Sequence, residues 1–184
     1  MRHPKVTLAA TVLVATLTGA AAANAPNFEP VLDATTGALA LRSTGSAYYA
    51  GVIRVYDAAL YAVPGADPDA LTAGTASRCL ILAYRRAVSR DLIVEAANEV
   101  LERQGIEAAA LGAPLDQLHA AYRDVGPGDR YRLCHTPGGE AELALNGEVL
   151  ARVGGDAFAT AYFGIWLRDG AISEPLRESL LGIR

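Results

Sequence analysis

From Gly51 to Val63 the chain runs thirteen residues without a proline and with only two charges, Arg54 and Asp57. Its Val, Ile, Tyr and Ala content favours a strand. At period two, one face carries Val52, Arg54, Tyr56, Ala58 and Leu60, and the other Gly51, Ile53, Val55, Asp57, Ala59, Tyr61 and Val63. Both faces are mostly apolar, the pattern of a central strand covered on both sides, and this strand is expected to be the spine of the fold. Pro64-Gly65-Ala66-Asp67-Pro68 stops it.

Upstream, Asn27–Asp33 and Gly37–Arg42 read as short strands, and Ser43-Thr44-Gly45-Ser46 as a polar break before the spine. Downstream, Asp69–Ala73 suits a single helical turn and Arg78–Arg85 a strand. Ser89 caps a predicted helix over Arg90–Gln104, with Gly105 as its stop. On that helix Ile93, Ala96, Ala97, Val100 and Leu101 share one side. Asp91, Glu95, Asn98 and Glu102 share the other, with Glu99 at its edge, as on a solvated face. A second helix is predicted from Pro114 to about Arg123. Strand-like pieces at Asp129–His135, Ala141–Leu145 and Glu148–Val153 follow, the last two joined by Asn146-Gly147, a strong hairpin signal. Helices from Gly155 or Asp156 to Leu167, and from Ser173 to Gly182, close the chain. The order gives an α+β domain over 26–184.

The N-terminus changes the picture of location. Arg2 and Lys5 precede an apolar run from Val6 to Leu17 and then small residues, the form of a signal peptide over 1–25. Cleavage is expected after Ala23, with Ala25 as the alternative, and the mature chain is expected in the periplasm or secreted, without stable membrane insertion. Losing Arg2 and Lys5 but no acid leaves fourteen bases against twenty acids, a net charge near −6. That balance argues against nucleic-acid binding, which needs a basic surface. Beyond Lys5 there is no lysine, which excludes a Schiff-base or phosphate-loop lysine in the mature chain. Cys79 and Cys134 lie on two predicted strands. If these strands are neighbours in matching register, a disulfide closes a loop of roughly 55 residues; otherwise the two are small buried thiols.

Candidate chemistry is sparse. No nucleophile elbow, glycine-rich phosphate loop, Cys-x-x-Cys or His-x-x-x-His occurs, and no metal or cofactor is expected. Cys134-His135 would point to opposite faces of a strand, a poor pair of metal ligands. What stands out is a tyrosine-rich sheet: Tyr48, Tyr49, Tyr56, Tyr61, Tyr84 and Tyr131 all lie in or beside strands. Such rings suit core edges or the lining of a pocket for a partly apolar ligand.

Several segments in order resemble the bacterial secreted chalcone isomerase-like proteins. These are Leu39-Ala40-Leu41, Gly45, Arg54-Val55-Tyr56-Asp57-Ala58-Ala59-Leu60-Tyr61 and Leu82-Ala83-Tyr84-Arg85-Arg86-Ala87-Val88-Ser89. Asn146-Gly147, Gly155–Phe158, Ile165-Trp166-Leu167 and Leu180-Leu181-Gly182 complete the set. The resemblance implies an open-faced β-sandwich, a large antiparallel sheet carrying a helical layer with a ligand cleft between them. It also exposes departures. No Arg follows Gly45, the enzymes' helix tyrosine falls on Asp91 or Leu92, and their hydroxyl residues become Gly51 and Leu176. Ring closure needs groups that stabilise developing negative charge, and most are gone.

The expected function is therefore a non-catalytic domain holding a small, partly apolar ligand such as a fatty acid. Arg42 is expected on the carboxylate, Tyr49 and Tyr84 as walls and Ile53 as floor. The alternatives are an isomerase or lyase with a rearranged site using Arg42 with Tyr48 or Tyr49, and a protein-interaction domain of the cell envelope.

Overall fold

The computed structural model describes residues 27–34 and 37–183, so the expected signal peptide lies outside the described residues. Seven strands form one antiparallel sheet in sequence order: β1 Val31–Ala34, β2 Gly37–Tyr49, β3 Ile53–Ala62, β4 Arg78–Tyr84, β5 Arg130–His135, β6 Ala141–Leu145 and β7 Glu148–Val153. Helix α1 (Pro68–Ala73) lies between β3 and β4. Helices α2 (Arg90–Arg103) and α3 (Ala108–Ala121) separate β4 from β5, and α4 (Asp156–Leu167) and α5 (Glu174–Leu181) follow β7.

The period-two alternation of the strands sorts two cores. Ala58, Leu60, Leu80, Leu82, Tyr84, Tyr131 and Leu133 face the helices and pack with Val100 and Leu101 of α2, Leu118 of α3, Tyr162 and Trp166 of α4 and Leu176 of α5. Leu39, Ala59, Tyr61, Cys79 and Ile81 face the other way, under Phe28 and Leu32 of the N-terminal segment. Tyr61 donates its hydroxyl to the Glu29 carbonyl (2.8 Å), and the Arg130 guanidinium lies over the Phe28 ring. This is the expected α+β architecture, with helices on one face of a large antiparallel sheet.

Three expectations need correction. The spine is shared: β4 is the middle strand and is buried throughout, while Gly51 and Val52 belong to a turn and β3 is buried only from Tyr56 on. The polar break at Ser43–Ser46 does not exist, because β2 runs unbroken to Tyr49. Its small residues are needed there: Gly45 faces α5, where an added Cβ would meet Leu176 Cδ1 at 2.6 Å, and the Ser43 hydroxyl donates to the Leu180 carbonyl. Helix α3 starts earlier, at Ala108, and Gly112 breaks it with a positive φ of 57° before Pro114.

Cys79 and Cys134 stand directly opposite each other on β4 and β5 and are disulfide-bonded, which decides between the bridge and the two separate thiols. The bond closes a loop across 55 residues. Reducing it, or making Cys79→Ala with Cys134→Ala, should lower the unfolding free energy by about 2–4 kcal/mol, measured by urea unfolding with and without reductant.

Candidate functional site

The space between sheet and helices is the site the architecture offers, and aromatic side chains fill one end of it. Tyr56 on β3 meets Tyr84 on β4 (ring centroids 5.6 Å), which meets Tyr131 on β5 (6.1 Å), which stands edge-on to Tyr122 just past α3 (5.0 Å). From α4, Tyr162 donates its hydroxyl to that of Tyr122, and Trp166 donates its indole N–H to Tyr56, both at 3.1 Å. His119 of α3 closes the ring between Tyr122 and Tyr162, with its Nε2 buried and without a partner. Burial pushes Tyr56 up to about 12 and holds Tyr84, Tyr122 and Tyr162 well above the ordinary phenol value. It pushes His119 down, against the opposing pull of Asp116. Near neutral pH this end therefore presents uncharged donors, acceptors and ring faces.

The other end holds a charge. Arg78 opens β4 on the helix-facing side and is fully buried. One terminal nitrogen donates to the Leu71 carbonyl near the C-terminal end of α1, and the guanidinium lies 4.4 Å from the centroid of the Phe163 ring on α4. Gly74, in the left-handed region at φ 79°, lets the chain pass: a Cβ there would sit 3.0 Å from the Arg78 guanidinium and collide with the Thr160 hydroxyl. Nε and the second terminal nitrogen have no partner, and no carboxylate lies within ion-pair distance among the described residues. Burial lowers its pKa to about 10, so it stays charged near neutrality.

Directly across on β5 stands His135, its Nε2 2.9 Å from Asp156 Oδ1 and its Nδ1 buried and unpartnered. Burial lowers the His135 pKa, and the Asp156 hydrogen bond only partly offsets this. Arg78 and Tyr84 are six residues apart on one strand, roughly 20 Å at the strand rise.

The expected site residues do not come together. Tyr84 is in the aromatic wall. Arg42 is the extra residue of a β-bulge in β2, between Leu41 and Ser43, and is exposed. Tyr49 (70% exposed) and Ile53 (39%) sit at the tip of the β2–β3 hairpin, away from the helices. Arg42 and Tyr48 are also separated by six residues of strand, again roughly 20 Å, so the rearranged catalytic pair is not formed. Gly51 lies in the hairpin turn at φ 74°, Leu92 and Asp91 are exposed, and Leu176 packs against β2, so none brings a hydroxyl to the interlayer.

Two features were not anticipated. Arg78 gives no sign in the sequence, since an Arg at a strand start reads as exposed. Asp57 is 2% exposed on the far face of the sheet, accepting hydrogen bonds from Ser46 (2.6 Å), Arg54 (2.7 Å from Nε) and Arg85. Burial would raise its pKa, but those three partners more than offset this and leave it lowered. A second β-bulge, with Val55 as the extra residue, brings Arg54 to Asp57, whereas strict alternation puts them on opposite faces.

On the outer side of α2 a groove of about 500 Å³ is lined by Asp91, Val94, Glu95, Asn98, Glu99 and Glu102, all but Val94 on the predicted solvated face. No cluster of three or more potential metal ligands occurs among the described residues, and no helix among them is long and apolar enough to cross a membrane.

The neutral buried imidazoles have a consequence for stability. His119 and His135 have folded-state pKa values below 6.5, so between that value and their folded values the unfolded chain binds more protons. Stability is expected to fall as pH drops below about 6.5, before Asp57 protonates at a pH below 3.8. Urea midpoints measured from pH 8 to pH 5 check this, and His119→Gln with His135→Gln should flatten the slope.

Among solved structures, the crystal structure of a fatty-acid binding protein from Arabidopsis thaliana superimposes with a TM-score of 0.61 at 15% identity. It covers 78% of this chain and 86% of its own. At that identity the likeness bears on the fold. No curated protein matches the chain significantly. A chalcone isomerase-like family model matches residues 21–182, almost the whole sequence, and the chain belongs to the chalcone isomerase-like family.

Proposed function

We propose that this chain is a non-catalytic binding domain that takes a small, partly apolar carboxylate of the fatty-acid class between its sheet and its helices. The observation that carries this reading is Arg78: a buried guanidinium with two unpartnered N–H-bearing nitrogens and, among the described residues, no carboxylate within ion-pair distance, Asp156 acting on it only from further off. Leaving such a group unpaired is costly, and a carboxylate can accept two parallel hydrogen bonds from it. The acyl chain would run past Leu80 and Leu133 towards Tyr84 as a wall, and Arg78 would take the role expected of Arg42. Because side chains fill the interlayer, entry displaces rings around Tyr122 and Tyr162. The fatty-acid ligand of the Arabidopsis protein with the same fold supports the ligand class by analogy.

The ligand reading is tested by titrating the protein with oleate and with methyl oleate. The acid should bind at least about tenfold more tightly, the worth of a charge-assisted hydrogen bond. Arg78→Met and Arg78→Gln should erase that preference while retaining the ester's affinity. Equal affinity of the natural chain for acid and ester would overturn the carboxylate assignment. Saturable chalcone cyclisation above the spontaneous rate would overturn the non-catalytic reading.

We further propose export to the periplasm or beyond, supported by the basic, apolar and small-residue order of residues 1–25 and by a disulfide that an oxidising compartment would preserve. N-terminal sequencing of the exported protein should begin at Asn24 or Pro26; an intact Met1 in the membrane fraction would refute it.

A further inference from the structure

β4 pairs with β3 only from Tyr56 to Ala62, whereas β2 and β3 continue as a two-stranded ribbon past its end. Ala50 (φ 49°) and Gly51 (φ 74°) turn the ribbon, and the Val52 N–H donates to the Tyr49 carbonyl at 3.2 Å. Left-handed conformations at both turn residues suit the twist of paired strands and keep the tip narrow. Tyr48 (50%), Tyr49 (70%), Val52 (79%) and Ile53 (39%) are all exposed there. They are half of the large apolar residues exposed among the described residues, gathered within six positions.

Charge is segregated around the same ribbon. No Asp or Glu occurs between Asp33 and Asp57, in a chain with twenty acids. At the ribbon's root, where the Arg85 N–H donates to the Val55 carbonyl, Arg54 and Arg85 share the single carboxylate of Asp57. Arg86 beside them is exposed and has no ion-pair partner among the described residues. An apolar tip with two phenol hydroxyls above an excess of guanidinium charge matches the order of layers in an anionic bilayer: hydrocarbon, interface, headgroup.

We infer that the β2–β3 ribbon is a membrane-docking tip that inserts Val52, Ile53 and the two tyrosines into the surface of an anionic bilayer. Arg54, Arg85 and Arg86 then lie at the level of the headgroups. The inference stands without the ligand reading. It also gives that reading a route, because the ribbon rises from the Tyr56–Tyr84 end of the interlayer.

The test places an environment-sensitive NBD fluorophore on the full chain at Val52→Cys and, as a control, at Val149→Cys on β7, with no fatty acid added. Vesicles of phosphatidylglycerol and phosphatidylethanolamine should shift the emission at position 52 to the blue and brighten it, and leave position 149 unchanged. Phosphatidylcholine alone should do so more weakly. Adding Tyr49→Ser should raise the lipid concentration for half-maximal response at least about tenfold, the loss expected for one large buried side chain. Adding Arg86→Gln should raise it about fivefold on anionic vesicles only. No change at position 52 with either vesicle, or an equal change at position 149, overturns the proposal. So does a change at position 52 that follows protein concentration without lipid, which assigns the tip to a second copy of the chain. Each labelled position reports its own surroundings, so lipid contact by the N-terminal segment does not imitate the result, and loss of fatty-acid binding leaves it untouched.

Discussion

The architecture depends on covering the middle strand on both faces. All seven residues of β4 are buried, and their alternation sends Arg78, Leu80, Leu82 and Tyr84 towards the helices and Cys79, Ile81 and Ala83 to the other side. A strand in that position tolerates a charge only if the charge is compensated. Arg78 meets this in part, through a carbonyl near the negative end of the α1 dipole and the face of Phe163. The same side chain thereby ties α1 and α4 to the sheet at one end, while Trp166 bonded to Tyr56 ties α4 to it at the other. The remaining donors of Arg78 are the part of this arrangement that the fold itself does not use.

Those two ends have different chemistry for one physical reason. Removing water raises the pKa of a phenol and lowers that of an imidazole, so desolvation drives every tyrosine and histidine of the interlayer towards its neutral form. A guanidinium survives the same treatment because its starting pKa is so high. The result is one fixed positive charge in a wall of neutral donors and rings. That can recognise an anion attached to an apolar body, beside imidazoles that take up a proton only below their ordinary pKa.

Much of the fold was legible because its signals are local. The Ser89 cap, the Gly105 stop, the Asn-Gly turn and the apolar face of α2 each follow from a few neighbouring residues. What escaped were contacts between elements far apart in sequence. Gly45 and Ser43 read as a loop because their reason for being small and polar lies on α5, more than 130 residues away. The roles expected of Arg42, Tyr49 and Ile53 rest on analogy with a cleft, and nothing in the local pattern distinguishes a strand that reaches the helices from one that passes them. The cysteines were visible, but only the β4–β5 register brings them face to face.

The bulge at Val55 shows how one irregularity changes the reading of a whole strand. Under strict alternation Arg54 shares a face with Tyr56 and points at the helices, where a second buried guanidinium would have no carboxylate. The extra residue turns Arg54 to Asp57 instead and lets two arginines and a serine hydroxyl satisfy one buried carboxylate. It does so just where β3 leaves the cover of β4, so the knot of charge braces the base of a ribbon that has a neighbouring strand on only one side of it. Removing the carboxylate would leave two partly buried like charges facing each other, which is why an acid belongs in this otherwise apolar run. Asp57 thus serves the far face of the sheet, and the interlayer is left with Arg78 as its source of charge.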